Sequence, residues 1–162
     1  MNRLISFLYL CMLPVMVSGG QGGEPVAHIS FLEGDVRIIR LDRQRDRGMV
    51  NLPVMMGDRV ITGVSSRCEI LLPGGTLLRL EERSTFQIEC LSARPYERDG
   101  RISTLKLDSG KIYVTAIPSD DELLQVITPN AAVVPEKRSI SIISVDLIGG
   151  TYTYVSGGRA KV

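Results

Sequence analysis

Histidines, cysteines and carboxylates are the residues most able to do chemistry, and this chain spaces them unfavourably for it. His28 is its only histidine. A nucleophile of the serine or cysteine kind needs a base that takes its proton, and a third group to orient that base. No such partner for His28 can be argued from spacing, so it reads as a partly exposed residue near the start of a strand. Four-ligand zinc or iron sites need clustered Cys and His. Here only Cys68 and Cys90 follow the N-terminal apolar run, and they lie far apart. The acidic cluster Asp120, Asp121 and Glu122 has neither the loop length nor the ligand spacing of a calcium site. It reads as a solvated turn. Glu81 and Glu82, or Asp120 and Glu122, could be nominated as the two carboxylates of a glycan-cleaving site. Adjacency in sequence does not give separation across a cleft, however, and the chain has no Trp and few other aromatics to stack on sugars. The glycine pairs in "PGGTLLRL" and "SGGRAKV" lack the Gly-Lys-Ser/Thr ending of a phosphate loop and read as turns. No catalytic residue, metal ligand or cofactor site is therefore expected.

One charge run is left: "RIIRLDRQRDRG", residues 37–48. Arg37, Arg40, Arg43, Arg45 and Arg47 outnumber Asp42 and Asp46. The plain reading is a solvated hairpin tip. The functional reading is an anionic partner, because the arginine fork pairs bidentately with carboxylate or phosphate. An acidic protein patch, a phosphorylated lipid headgroup and an acidic glycan all fit.

The elements that would position these residues have a period of two. Ile102 to Ala116 reads "ISTLKLDSGKIYVTA". Leu105 and Leu107 alternate with polar residues, Gly110 turns the chain, and Ile112, Val114 and Ala116 alternate again. Successive strand side chains face opposite ways, so this predicts strand, turn, strand with one buried face. Ile29 and Phe31, Cys68 to Leu72, Leu78 and Leu80, Phe86 and Ile88, Leu124 and Val126, Ile140 and Ile142, and Tyr152 and Tyr154 repeat the pattern between glycine-bearing turns. The spacing predicts one all-β domain of about ten to twelve short strands. Stacked hairpins in a β-roll or short solenoid fit slightly better than a β-sandwich, whose spacing is similar.

The N-terminus, "MNRLISFLYLCMLPVMVSGG", has an early arginine, an apolar run over residues 4–17 and then small residues. This is the layout of a secretory signal peptide over residues 1–23, with the mature domain over residues 24–162. The run is short of the roughly 20 residues of a membrane span, so no stable span is expected after signal removal, and a retained anchor is the alternative reading. Cys11 is followed by more apolar residues and does not fit a lipid-attachment cysteine. Export permits a Cys68–Cys90 disulfide. On a simple meander the two would sit at opposite ends of the first and third strands, too far apart to bridge, so two buried thiols are the plainer reading. Basic and acidic residues balance at a net charge of +1, which argues against bulk binding of nucleic acid.

"LPVMMGDRVITGVSSRCEILLPGGTLLRLEERSTFQI" resembles the signature of the FecR-like domain family, bacterial envelope domains first associated with periplasmic signalling regulators. The matching residues are Leu52, Gly57, Asp58, Thr62, Gly63, Ser66, Gly75 and Ser84, followed by Gly110 and by Thr128 and Pro129 of "VITP". Where the family continues with Gly-Thr, this chain has Arg138 and Ser139. The resemblance implies a stand-alone, exported, non-enzymatic domain without the cytoplasmic anti-sigma segment. It would bind a protein or an envelope polymer, or act as a periplasmic sensor for a separate membrane protein. The exposed strand edges expected to do this are residues 29–31 and 152–162.

Overall fold

The computed structural model describes residues 27–91, 101–117 and 122–162. The expected signal peptide, Asp120 and Asp121 lie outside them. Among the described residues the protein is all β, with fourteen strands rather than ten to twelve and no helix. No helix of theirs is long and apolar enough to cross a membrane.

The chain passes back and forth between two layers. β1 (Ala27–Glu33) lies in the first layer, and β2 (Val36–Ile39) and β3 (Arg45–Arg47) in the second. β4 (Pro53–Val54) returns to pair with β1, and β5 (Arg59–Thr62) pairs with β2. The hairpin of β6 (Arg67–Leu71) and β7 (Leu77–Leu80) follows in the first layer, then β8 (Thr85–Cys90) in the second. β9 (Arg101–Ala116) belongs to both. Its first half pairs with β8 and, in parallel, with β10 (Glu122–Ile127). Its second half pairs with β7 and with β12 (Ser139–Val145). β11 (Ala132–Pro135) joins β10, β13 (Thr151–Gly157) joins β12, and β14 (Ala160–Lys161) closes against β11. One sheet thus folds along a seam onto itself, giving a roll rather than two independent sandwich sheets. The inward residues of both layers form a single core around Phe86, Ile29, Ile70, Leu80 and Ile112.

Gly110 does not end a strand. β9 runs straight through it with φ 90°, and there the pairing partners change. The sequence pattern predicts a hairpin turn at that point; the chain instead makes a sheet corner, a second use of glycine inside a strand. Buried parity shifts across it, from Leu105 and Leu107 to Ile112 and Val114, so both halves still face the core.

Two other expectations of facing fail for a similar reason. A register shift between Ile29 and Phe31 leaves Ile29 buried and turns Phe31 outward at 46% exposure. On β12 it is Ser139, Ser141, Ile143 and Val145 that face inward, while Ile140 is exposed. Alternation alone favours Ile140 and Ile142 as the core side; the pairing of Ser141 with Val114 and of Ile143 with Ile112 sets the other side inward.

Candidate binding surfaces

The polar signature residues Thr62, Ser66 and Ser84 sit along the seam. Each supplies a hydrogen bond where a strand leaves one layer for the other and the ladder is interrupted, as buried backbone groups require. Ser66 Oγ accepts from Asp35 N (2.9 Å) and donates to Val64 O (3.0 Å). Thr62 Oγ1 donates to Glu81 O (2.6 Å) and accepts from Ser84 N (2.9 Å). Ser84 Oγ accepts from Lys111 N (2.9 Å) and donates to Lys111 O (3.1 Å), beside Gly110. Gly63 N donates to Asp35 O, and a Cβ at this position would meet Asp35 at 3.3 Å and Ser66 Oγ at 3.4 Å. Near the other end of β5, Gly57 N donates to Ile88 O, and Leu52 O accepts from Ile29 N. Gly75, at φ 94°, makes the open β6–β7 turn. Thr128 Oγ1 bonds Ala131 and lies 2.8 Å from Thr151 Oγ1, tying the β10–β11 turn to the start of β13, with Pro129 exposed beside it. Arg138 adopts φ 56°, so it takes up the left-handed backbone that glycine would hold without strain.

The arginine run divides. Arg40 is not on the surface face. Its guanidinium donates to Asp46 Oδ2 (2.7 Å), to Pro53 O (2.9 Å) and to Asp58 Oδ2, and Asp58 also accepts from Met55 N (2.8 Å). The Asp58 side chain is only 3% exposed. Burial works to lower the Arg40 pKa, but the bonds and charges of Asp46 and Asp58 outweigh it and hold it above the ordinary arginine value. Arg40 is therefore removed from the candidate partner-binding set: it is a half-buried strut held by the buried Asp58. Arg43 sits at φ 69° in the β2–β3 turn.

Arg37, Arg45 and Arg47 remain exposed on the outer face of the second layer. Arg37 is clamped by Asp35, at 2.7 and 3.3 Å. Register adds two cations that the sequence run does not contain. Arg59 of β5 pairs with Ile39 and Gln87, and Gln87 with Lys106. Arg59 and Lys106 share Asp108, at 3.7 and 3.3 Å. A groove of about 300 Å³ opens among Arg37, Arg45, Ile39 and Ile61.

The first layer presents a different surface. β13 pairs only with β12 among the described residues. Its sequence, TYTYVSG, carries no charge and no proline, and Tyr152 and Tyr154 are 63% and 64% exposed. Leu147 and Ile148, at the tip of the β12–β13 hairpin, are fully exposed. The other expected edge is occupied: Ile29 lies between β6 and the segment around β4, with Ile29 N and O both bonded to residues 51–52.

Cys68 and Cys90 are free thiols in different layers, which removes the disulfide option. They are not both buried. A register shift between Ile88 and Cys90 turns Cys90 outward. Burial, with the charge of Glu69 added, pushes the Cys68 pKa up to about 12. The unfolded chain loses this proton near the ordinary thiol value, so stability linked to Cys68 is intact below that value and falls as pH climbs towards 12. Alkylation at neutral pH should label Cys90 in the native protein and Cys68 only after unfolding; peptide mapping reads this out, and native labelling of Cys68 would contradict its burial.

An open groove of about 370 Å³ holds Glu81, Glu82 and Asp146. Two of these carboxylates are already used. Asp146 accepts from Ile148 N and Gly150 N, and Glu82 from Ser65 N. Among the described residues no group of His, Cys, Asp or Glu is placed to hold a metal ion.

This seam of glycine, serine and threonine corners is where a family model meets the chain. The model for FecR protein matches residues 58–157, more than half of the chain. The chain belongs to the FecR family. FecR proteins are envelope-associated, non-enzymatic regulatory proteins of bacteria. The FecR match begins at Asp58 and takes in the corners at Thr62, Ser66, Ser84 and Gly110, leaving Leu52 and Gly57 just outside. No curated protein and no solved structure matches the chain.

Proposed function

We propose that this FecR-family chain is an exported, non-enzymatic binding module of the bacterial cell envelope, which recognises a partner protein by strand addition to β13. The observation that supports this is the edge itself: seven residues of a strand-favouring, uncharged sequence with one side unpaired among the described residues. Exposed edges accept further strands unless charge, proline or a bulge blunts them. The edge at β4 carries a proline, and the arginines at β3 bar an uncharged or basic strand; β13 carries neither, and its one register shift, where Gly157 and Val155 face Ile140 and Ser141, lies at its C-terminal end. Tyr152 and Tyr154 add rigid aromatic area that a partner can cover.

Crosslinking in the native envelope, followed by partner identification, tests the reading. The double variant Tyr152→Lys, Tyr154→Lys places two charges on the edge and should abolish the main crosslink with the melting temperature nearly unchanged. Equal crosslinking by the variant and the parent would rule out this edge. Recovery of a membrane regulator would specify a sensor; recovery of cell-wall polymer without protein would contradict protein recognition.

A further inference from the structure

We infer a second binding site, independent of β13: the free edge of β3 and its arginine face take an extended acidic peptide with carboxylates at alternate positions. Three observations carry this.

The first is backbone direction. Gly48 N donates to Val36 O, and Arg40 N to Gln44 O. The register then makes Ile38–Asp46 the hydrogen-bonded pair between them. In an antiparallel ladder, hydrogen-bonded and non-hydrogen-bonded pairs alternate. The N–H and C=O of Arg45 and of Arg47 therefore point away from β2. They are open to another strand, since β3 has no other neighbour among the described residues.

The second is charge. Arg37 stands directly opposite Arg47 in a non-hydrogen-bonded pair, where side chains approach most closely. Like charges so placed are destabilising unless an anion intervenes. Asp35 already serves Arg37, and neither Arg45 nor Arg47 has a carboxylate within ion-pair distance among the described residues. Arg59 and Lys106 extend the positive row behind Arg45, with one carboxylate, Asp108, between them.

The third is spacing. Arg45 and Arg47 are two residues apart on one face, the repeat at which an added strand presents alternate side chains. Ile39 and Ile61 floor the adjacent groove, where an apolar side chain of the peptide can rest. A lipid headgroup or a phosphate polymer could match the charge but has no amides for the four open backbone groups, so the geometry favours a peptide. The same arginines repel a second copy of this edge, which would set arginine against arginine.

The probe is a fluorescent peptide of about eight residues alternating glutamate and valine, titrated into the full chain by anisotropy. Binding should weaken about tenfold or more in Arg45→Gln, Arg47→Gln, because charge-assisted hydrogen bonds are the strong ones. It should change less than about twofold in Arg43→Gln, an exposed residue of the turn that precedes β3. Both variants replace exposed residues, and an unchanged melting temperature confirms that they fold. Methylation of alternate peptide amides should also abolish binding. Any of four results overturns the inference: no binding by the parent chain, equal binding by the double variant, full affinity of the methylated peptide, or inorganic polyphosphate binding as tightly as the peptide. Tyr152→Lys, Tyr154→Lys should leave this affinity untouched, which separates its failure from failure of the β13 reading.

Discussion

Gly110→Ala is expected to destabilise the fold by about 3 kcal/mol or more, and to lower the melting temperature by on the order of 10 °C. The cause is twofold. At φ 90° an L side chain is strained whatever surrounds it. The added Cβ would also collide with Ser84, and with its Cα as well as its hydroxyl, so no rotamer change relieves the clash. Ser84 is fully buried and bonded to both backbone groups of Lys111. Displacing it breaks the corner at which β8 and β9 meet. Gly75→Ala is the control. Its φ is 94°, yet nothing stands within 4 Å of the new Cβ, so only the backbone term of about 1 kcal/mol remains. Thermal and urea unfolding of the two variants measures the difference; equal losses would show that the Ser84 contact contributes nothing.

Arg40→Ala is expected to cost about 3–5 kcal/mol, far more than loss of an exposed arginine. Removing the guanidinium leaves the Asp58 carboxylate buried with Met55 N as its one remaining donor among the described residues, and takes a partner from Asp46. An unpaired buried charge is the main cost, so neutralising it should restore stability. Arg40→Ala combined with Asp58→Asn should recover about half of the loss, because the amide oxygen still accepts from Met55 N. Urea titrations of the two single variants and the double variant give the coupling. A loss below about 1 kcal/mol for Arg40→Ala would mean that water, not Asp58, satisfies the guanidinium.

The arginine run shows what the sequence does and does not carry. Composition marks the run as a unit, but a strand sorts alternate residues onto opposite faces. Arg37, Arg45 and Arg47 go outward, while Asp46 lies on the side from which Arg40 reaches Asp58. Arg59 and Lys106 join the exposed set only through register, which local sequence does not encode. The all-β class was legible, because uninterrupted alternation in β5, β6 and β7 allows one burial pattern. Errors arise where alternation slips by one residue. The shifts beside Phe31 and before Cys90 each turn one side chain outward without altering composition. Gly110 reads equally as a turn or a corner, since both need the same backbone freedom. The serine side of β12 is inward because β9 and β13 fix its register on either side, against local hydrophobicity.

The sixteen residues of β9 also tie the two layers together energetically. Its halves are central strands of different layers, joined without a loop. Neither layer can open at its middle without pulling on the other, so unfolding is concentrated into one cooperative event rather than two. Local opening is left to the margins, at β3, β13 and β14, each held along one side only among the described residues. The proposed partner sites lie on two of these margins, where ordering a strand asks nothing of the centre.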